Sequence, residues 1–221
     1  MNRRDFSSLL ASAAGAASAG LGLTAAGSAV AQGAPEEGKH YVRLQTAAPV
    51  TLTGPSKKIE VVEFFWYGCP HCFSFEPTIE AWTKRLAADV QFRQLPFAFI
   101  GPLEHQKLFY ALEEMGQREA LQKRIFTAIH VENRRINTEA EILAFVAANG
   151  VDRAKFTEAW KSFGVNTKIS RGKQLSNAYK IDGVPALGIH GRFYTAPSLA
   201  GGADRAVAVA DFLIQRARQG T

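Results

Sequence analysis

The chain has two cysteines, Cys69 and Cys72, three apart at the point where strand signals give way to helix signals. From Ile59 to Trp66, IEVVEFFW, β-branched and aromatic residues run without a regular polar face, as in a strand covered on both sides. Such a strand requires a sheet with helices on both faces. Gly68 then turns the chain, and Pro70 suits the first turn of a helix, where its missing N–H has no partner to lose. That helix is predicted to continue through Trp82 and Leu86 with a kink at Pro77. Val90 to Leu95, VQFRQL, reads as the next strand and closes a β-α-β unit. A disulfide between residues three apart closes almost no loop and removes little entropy from the unfolded chain. As a structural staple this pair is nearly useless, so chemistry is the better reason for it.

At a helix N-terminus Cys69 meets unsatisfied N–H groups and the positive end of the helix dipole, and Cys72 lies one turn further in. Both effects favour thiolate over thiol at Cys69, and His71 between them adds a positive charge or a hydrogen bond. Residues at i and i+3 of a helix have Cα atoms roughly 5 Å apart, so a disulfide is sterically allowed. Half of a zinc site is the common alternative for C-x-x-C, but no second cysteine pair exists and the remaining histidines show no ligand spacing. Copper capture by the thiolate pair, as in a metal carrier, stays open, although Met1 and Met115 are the only methionines. Glu63 is the one carboxylate in VVEFFW; it either faces solvent or is buried with a raised pKa, able to exchange a proton with Cys72. Gly183-Val184-Pro185-Ala186 precedes a short strand, and its proline is read from the residues alone as an ordinary trans bond or a cis one.

Around this unit the chain is organised simply. Met1 to Ala31 reads as an export signal: Arg3-Arg4 give a positive start, Ser8 to Val30 is uncharged and rich in Ala, Gly and Ser, and Ala29-Val30-Ala31 offers small residues for cleavage. Gly and Ser dilute the run, which argues against a retained anchor. Arg3-Arg4-Asp5-Phe6 is similar to a twin-arginine motif, with Asn2 and Ser7-Ser8 departing from it. The net charge of +6 is spread along the chain without a dense block, so nucleic acid is not an expected partner. Tyr41 to Leu44 is a candidate edge strand. Between Gly101 and Gly164 the pattern is helical throughout, including a capping box at Thr138-Glu139-Ala140-Glu141 and a helix carrying Phe156 and Trp160 that Gly164 stops. A helix from Thr167 to Tyr179, strands Ala186–His190 and Arg192–Thr195 around a Gly191 turn, and a helix from Asp204 to Arg218 complete the chain. The order is that of an α/β, thioredoxin-like fold interrupted by an all-helical subdomain: 32–101 and 165–221 for the first, 102–164 for the second.

The segments EEGKHYVRL, VVEFFWYGCPHCFSFEP and GVPALGIHGRFY together resemble the DsbA family of thiol:disulfide interchange proteins, and C-P-H-C is that family's own tetrapeptide. The resemblance implies that Cys69 attacks, Cys72 is its buried partner, and His71 is the main stabiliser of the thiolate. It also implies that Val184 and a cis Pro185 lie against the disulfide and pair with the substrate backbone, and that Glu63 matches the family's strand glutamate. Some family members carry a lysine near that glutamate; here the matching position is Gln94, with Arg93 beside it, which leaves a Glu–Lys relay without its lysine. The segment WYG before Cys69 differs as well. The implied protein is a monomeric periplasmic dithiol oxidase that donates its Cys69–Cys72 disulfide to reduced exported proteins and needs no cofactor or metal. Its implied reoxidant is the quinone-linked membrane protein DsbB. An isomerase or reductase of the same fold is the alternative within the class, though no dimerisation segment is visible before Tyr41. The copper carrier is the alternative outside it.

Overall fold

The structure, a computed structural model, describes residues 33–220 apart from 57, 98 and 100. The export signal expected over 1–31 lies outside the described residues. In chain order the elements are β1 (Val42–Arg43), β2 (Ile59–Phe65), α1 (Pro70–Thr83), β3 (Val90–Pro96), α2 (Leu103–Glu114), α3 (Arg118–His130), α4 (Glu139–Ala148), α5 (Arg153–Lys161), α6 (Phe163–Ala178), β4 (Ala186–Ile189), β5 (Phe193–Thr195), α7 (Pro197–Ala200) and α8 (Ala203–Arg218).

All seven residues of β2 are buried, as an unalternating apolar run requires. The strand lies inside a mixed sheet of order β1-β5-β4-β2-β3. Its pairing with β3 is parallel, which needs a crossover, and α1 supplies it. Its pairing with β4 is antiparallel. Side chains alternate across the sheet. Val61 joins Phe75, Ile79 and Trp82 of α1 and Val209 and Leu213 of α8 on one face; Val62 and Phe64 join Leu175 and Tyr179 on the other. Phe65, at the C-terminal end of β2, and Tyr67, just beyond it, instead enter a third cluster with Phe109, Ile125, Phe145, Phe156 and Trp160, where the helices between β3 and β4 pack on one another. The two cysteines belong to that cluster, at the seam between sheet and helices.

Local signals are realised where the chemistry is local. Thr138 and Glu141 form the full reciprocal capping box at α4. The β4–β5 turn uses His190 and Gly191, both at positive φ, and a Cβ on Gly191 would lie 2.2 Å from the Ala48 carbonyl oxygen. Two expectations need correction. Gly164 does not stop a helix: α5 ends at Lys161, and Ser162 immediately caps α6 by accepting a hydrogen bond from Val165 N, so α6 starts at Phe163 rather than Thr167. The short helix α7, with Pro197 in its first turn, was not anticipated between β5 and α8.

Candidate active site

Cys69 is the N-cap residue of α1, extended at φ −87° and ψ 117°, with Pro70 at the first helical position. Cys69 is 7% exposed and Cys72 1%, and both are free thiols. The two sulfurs divide the ionisation between them. A hydrogen bond from the Cys72 thiol is the largest cause lowering the Cys69 pKa to about 6; the backbone N–H groups of Cys72 and His71 and the His71 charge add to it, against the opposing effect of burial. Donating that bond and being buried push Cys72 far up, and the negative charge of Glu63 adds to the rise. Thiolate therefore gathers at the helix N-terminus and thiol one turn inside it. The His71 imidazole, expected as the main stabiliser, ranks behind the Cys72 thiol and the helix N–H groups; its ring is exposed, where water screens its charge.

The Val184–Pro185 bond is cis, and Cys69 Sγ lies 3.5 Å from the Val184 carbonyl oxygen. A cavity of about 540 Å³ opens beside this contact, lined by His71, Phe75, Val184, Pro185, Tyr194 and Leu199 among others. Its walls are mostly apolar, and Gly183 of the same loop lines it as well.

Glu63, which the sequence left open, is fully buried. It points to the α1 face of the sheet, and Gln94 opposite it in the β2–β3 register donates from Nε2 to Glu63 Oε2 at 2.8 Å. Burial and the neighbouring Glu76 carboxyl raise its pKa to about 8, while Gln94 and Arg118 pull it down. The strand glutamate and Cys72 thus feel one another's charge across the base of α1.

The WYG segment holds the turn in place. A Cβ on Gly68 or Gly101 would fall 2.4 Å or 2.2 Å from the Trp66 indole, so glycine is what lets that ring lie flat on the turn. Trp66 Nε1 donates to His105 Nδ1 at 2.8 Å, and His105 Nε2 is 2.8 Å from the Ile136 carbonyl oxygen. With Nδ1 accepting, Nε2 carries the proton; His105 is neutral, and burial lowers its pKa. His130 Nε2 meets the Tyr67 carbonyl oxygen at 2.7 Å, and its ring stacks on Phe73 of α1. Sequence reasoning missed these histidines, as it missed Glu76 and Arg118. Glu76 was within reach, since it lies four residues after Cys72 on the same helix face. Arg118 comes from another helix, and nothing local announces it.

Among the described residues no three His, Cys, Asp or Glu side chains gather as a metal site, and no helix is long and apolar enough to cross a membrane. The model of the DSBA-like thioredoxin domain matches residues 102–213, about half of the chain. The thiol:disulfide interchange protein DsbA of Azotobacter vinelandii is 41% identical over 208 residues, covering 92% of this chain and 96% of the relative. That of Burkholderia cepacia is 39% identical over 197 residues, covering 89% and 92%. The crystal structure of Pseudomonas aeruginosa DsbA superposes with a TM-score of 0.77 at 41% identity, over 83% of this chain and 94% of that one. Oxidoreductase DsbA from Xylella fastidiosa gives 0.75 at 26% identity, over 84% and 98%. The thioredoxin-like sheet, the paired cysteines at the head of α1 and these full-length relatives agree: the chain belongs to the DsbA family and is a thiol:disulfide oxidoreductase.

Proposed function

We propose that Cys69 is the attacked sulfur and Cys72 the resolving one in a periplasmic dithiol oxidase. A substrate thiolate attacks Cys69, the Cys69–Cys72 bond breaks, and a mixed disulfide joins Cys69 to the substrate while Cys72 leaves as a thiolate and takes up a proton. The substrate's second thiolate then attacks its own sulfur in that mixed disulfide, expelling Cys69 as a thiolate. The observation that carries this division is the opposite displacement of the two thiols, Cys69 toward thiolate and Cys72 toward thiol. A stabilised Cys69 thiolate is a good leaving group, and it drives electrons from substrate to enzyme. His71 assists the thiolate, Val184 and Pro185 receive the substrate backbone, and Glu63 supplies the proton that Cys72 takes.

Several finer points go with this reading. The protein acts as a monomer and needs no cofactor; its substrates are reduced proteins newly exported to the periplasm. A membrane partner similar to DsbB reoxidises the cysteines, and the leader at 1–31 directs export, through the twin-arginine route if Arg3-Arg4 are read. The thioredoxin-like domain comprises 32–101 and 165–221 and the helical insertion 102–164, with α6 returning the chain to the sheet. The test is trapping: Cys72→Ala accumulates mixed disulfides with reduced substrates and Cys69→Ala does not, by mass spectrometry. Equal trapping by both removes the assignment.

A further inference from the structure

The Glu63 carboxyl has no direct contact with bulk water, yet on the reading above it must lose a proton to Cys72 and regain one in every cycle. A second cavity, of about 650 Å³, lies between α1, β3 and α3 on the side away from the peptide-facing one, lined by Phe73, Glu76, Gln94, Arg118, Gln122 and Lys123 among others. Gln94 spans from this cavity to the buried glutamate. Its Nε2 donates to Glu63 Oε2 at 2.8 Å, and its Oε1 accepts from Arg118 Nη1 at 2.6 Å.

We propose that Arg118 is a positioning residue for the Cys72 proton: it locks the Gln94 amide with its NH2 toward Glu63 and brings a positive charge to the side of the buried carboxyl that faces this cavity. A guanidinium only donates, so the amide end facing Arg118 has to be the oxygen, and the end facing Glu63 has to be the NH2. In that orientation Gln94 supports the carboxylate. Without Arg118 the amide oxygen loses the donor that fixes it, and the group can turn to accept from the protonated acid, which favours the neutral form; Glu76, which also bonds Gln94, is then its remaining restraint. Glu63 Oε1, Glu76 Oε2 and Gln122 Nε2 are buried with no hydrogen-bond partner among the described residues, so polar atoms run from the glutamate to the cavity with capacity to bind water. The groups facing Glu63 are Cys72 and Glu76 from α1, Gln94 from β3 and Arg118 from α3, with apolar Leu187 beside it on β4; Glu80, Glu119 and Lys123 stand further out. Arg118 is the cation among those that act on Glu63, and it also acts on Glu76.

This inference rests on Glu63 being the proton's station, and two arms separate the claims. In the first, the Glu63 carboxyl of the reduced protein is titrated by carbon-13 NMR, assigned with Glu63→Gln. The wild-type midpoint is expected near 8. Arg118→Met raises it by about one unit or more, a tenfold change in ionisation, and Arg118→Lys falls between the two. Gln94→Leu raises it as well, and the double variant shifts it by less than the sum, since one acts through the other. A midpoint in Arg118→Met within about 0.3 unit of wild type overturns the proposal, as does a lysine variant no closer to wild type than the methionine one. In the second arm the pH profile of disulfide exchange is measured for Glu63→Gln and Arg118→Met. A wild-type rate and profile in Glu63→Gln overturns the role of Glu63 and the relay with it. A changed profile there with an unchanged one in Arg118→Met overturns Arg118 alone.

Discussion

Replacing Glu63 by glutamine should make the reduced protein more stable at neutral pH and less stable in mild acid. In the folded chain the carboxyl titrates near 8, against 4.5 for the free group. Between those values the native state holds a proton that the unfolded chain does not, so wild-type stability falls as pH rises, by about 1.4 kcal/mol per unit. The advantage of that proton is present in full below pH 4.5 and lost as pH rises through about 8. At pH 7 the carboxyl therefore costs folding roughly 3 kcal/mol relative to a group that never ionises. Glutamine keeps an oxygen for Gln94 Nε2 but sets an amide NH2 where Glu63 Oε1 has no partner among the described residues, a penalty of about 1–2 kcal/mol. The net gain at pH 7 is then about 1–2 kcal/mol, and the two stability curves cross at a pH of roughly 5 to 6. Glu63 and Glu76 act on each other, so the difference between the proteins belongs to the pair. Urea melts of both reduced proteins from pH 4.5 to 8 give the difference directly. Curves that run parallel across this range, or a variant less stable throughout, refute a buried glutamate with a raised pKa.

Other expected outcomes follow from the same geometry. The thiolate absorbance of reduced protein should be half-developed near pH 6 from Cys69 alone, and the alkylation rate should fall about tenfold per unit well below that; a midpoint at the free-thiol value contradicts the helix-terminus account. Gly188→Ala sets a Cβ 2.5 Å from the Tyr179 ring within the sheet, and should cost about 2 kcal/mol or more in a urea melt while leaving the Cys69 titration unchanged. Changing Arg3 and Arg4 to lysine should strand the precursor in the cytoplasm if the twin-arginine route is used; unchanged periplasmic yield, measured by cell fractionation, indicates the general secretory route.

What was legible in the sequence was local. A strand with no polar face, a glycine turn, a proline in the first helical turn and two cysteines one turn apart specify β2, α1 and the thiolate between them, because each signal lies within one continuous stretch of adjacent residues. The capping box at Thr138 was readable for the same reason. The environment of Glu63 was not. VVEFFW has no polar parity from which to read a face, and burial became visible only with α1 laid across the sheet. Gln94 reaches Glu63 through strand register, and Arg118 reaches Gln94 from a helix beyond, so neither contact leaves a pattern in adjacent residues. The start of α6 escaped for a smaller reason: Ser162 ends one helix and caps the next, and the flanking Gly164 looked like the terminator. The exposure of His71 cannot be read from a tetrapeptide.

The most direct test of the central claim is the equilibrium of the Cys69–Cys72 couple against glutathione, measured from the fraction of dithiol at defined ratios of reduced to oxidised glutathione. Ionisation of Cys69 favours the dithiol form, in full above about pH 9 and less as pH falls through about 6. At pH 7, after allowance for solvent screening at the sulfur, it adds on the order of 1 kcal/mol, about 20 mV of oxidising power. The expected couple stays largely dithiol until glutathione is strongly oxidised, and becomes less oxidising relative to a free-thiol couple as pH falls from about 9 to about 6. A couple that is already disulfide at traces of oxidised glutathione, with no change in that difference between about pH 9 and about pH 6, would make this protein a reductase and contradict a stabilised Cys69 thiolate.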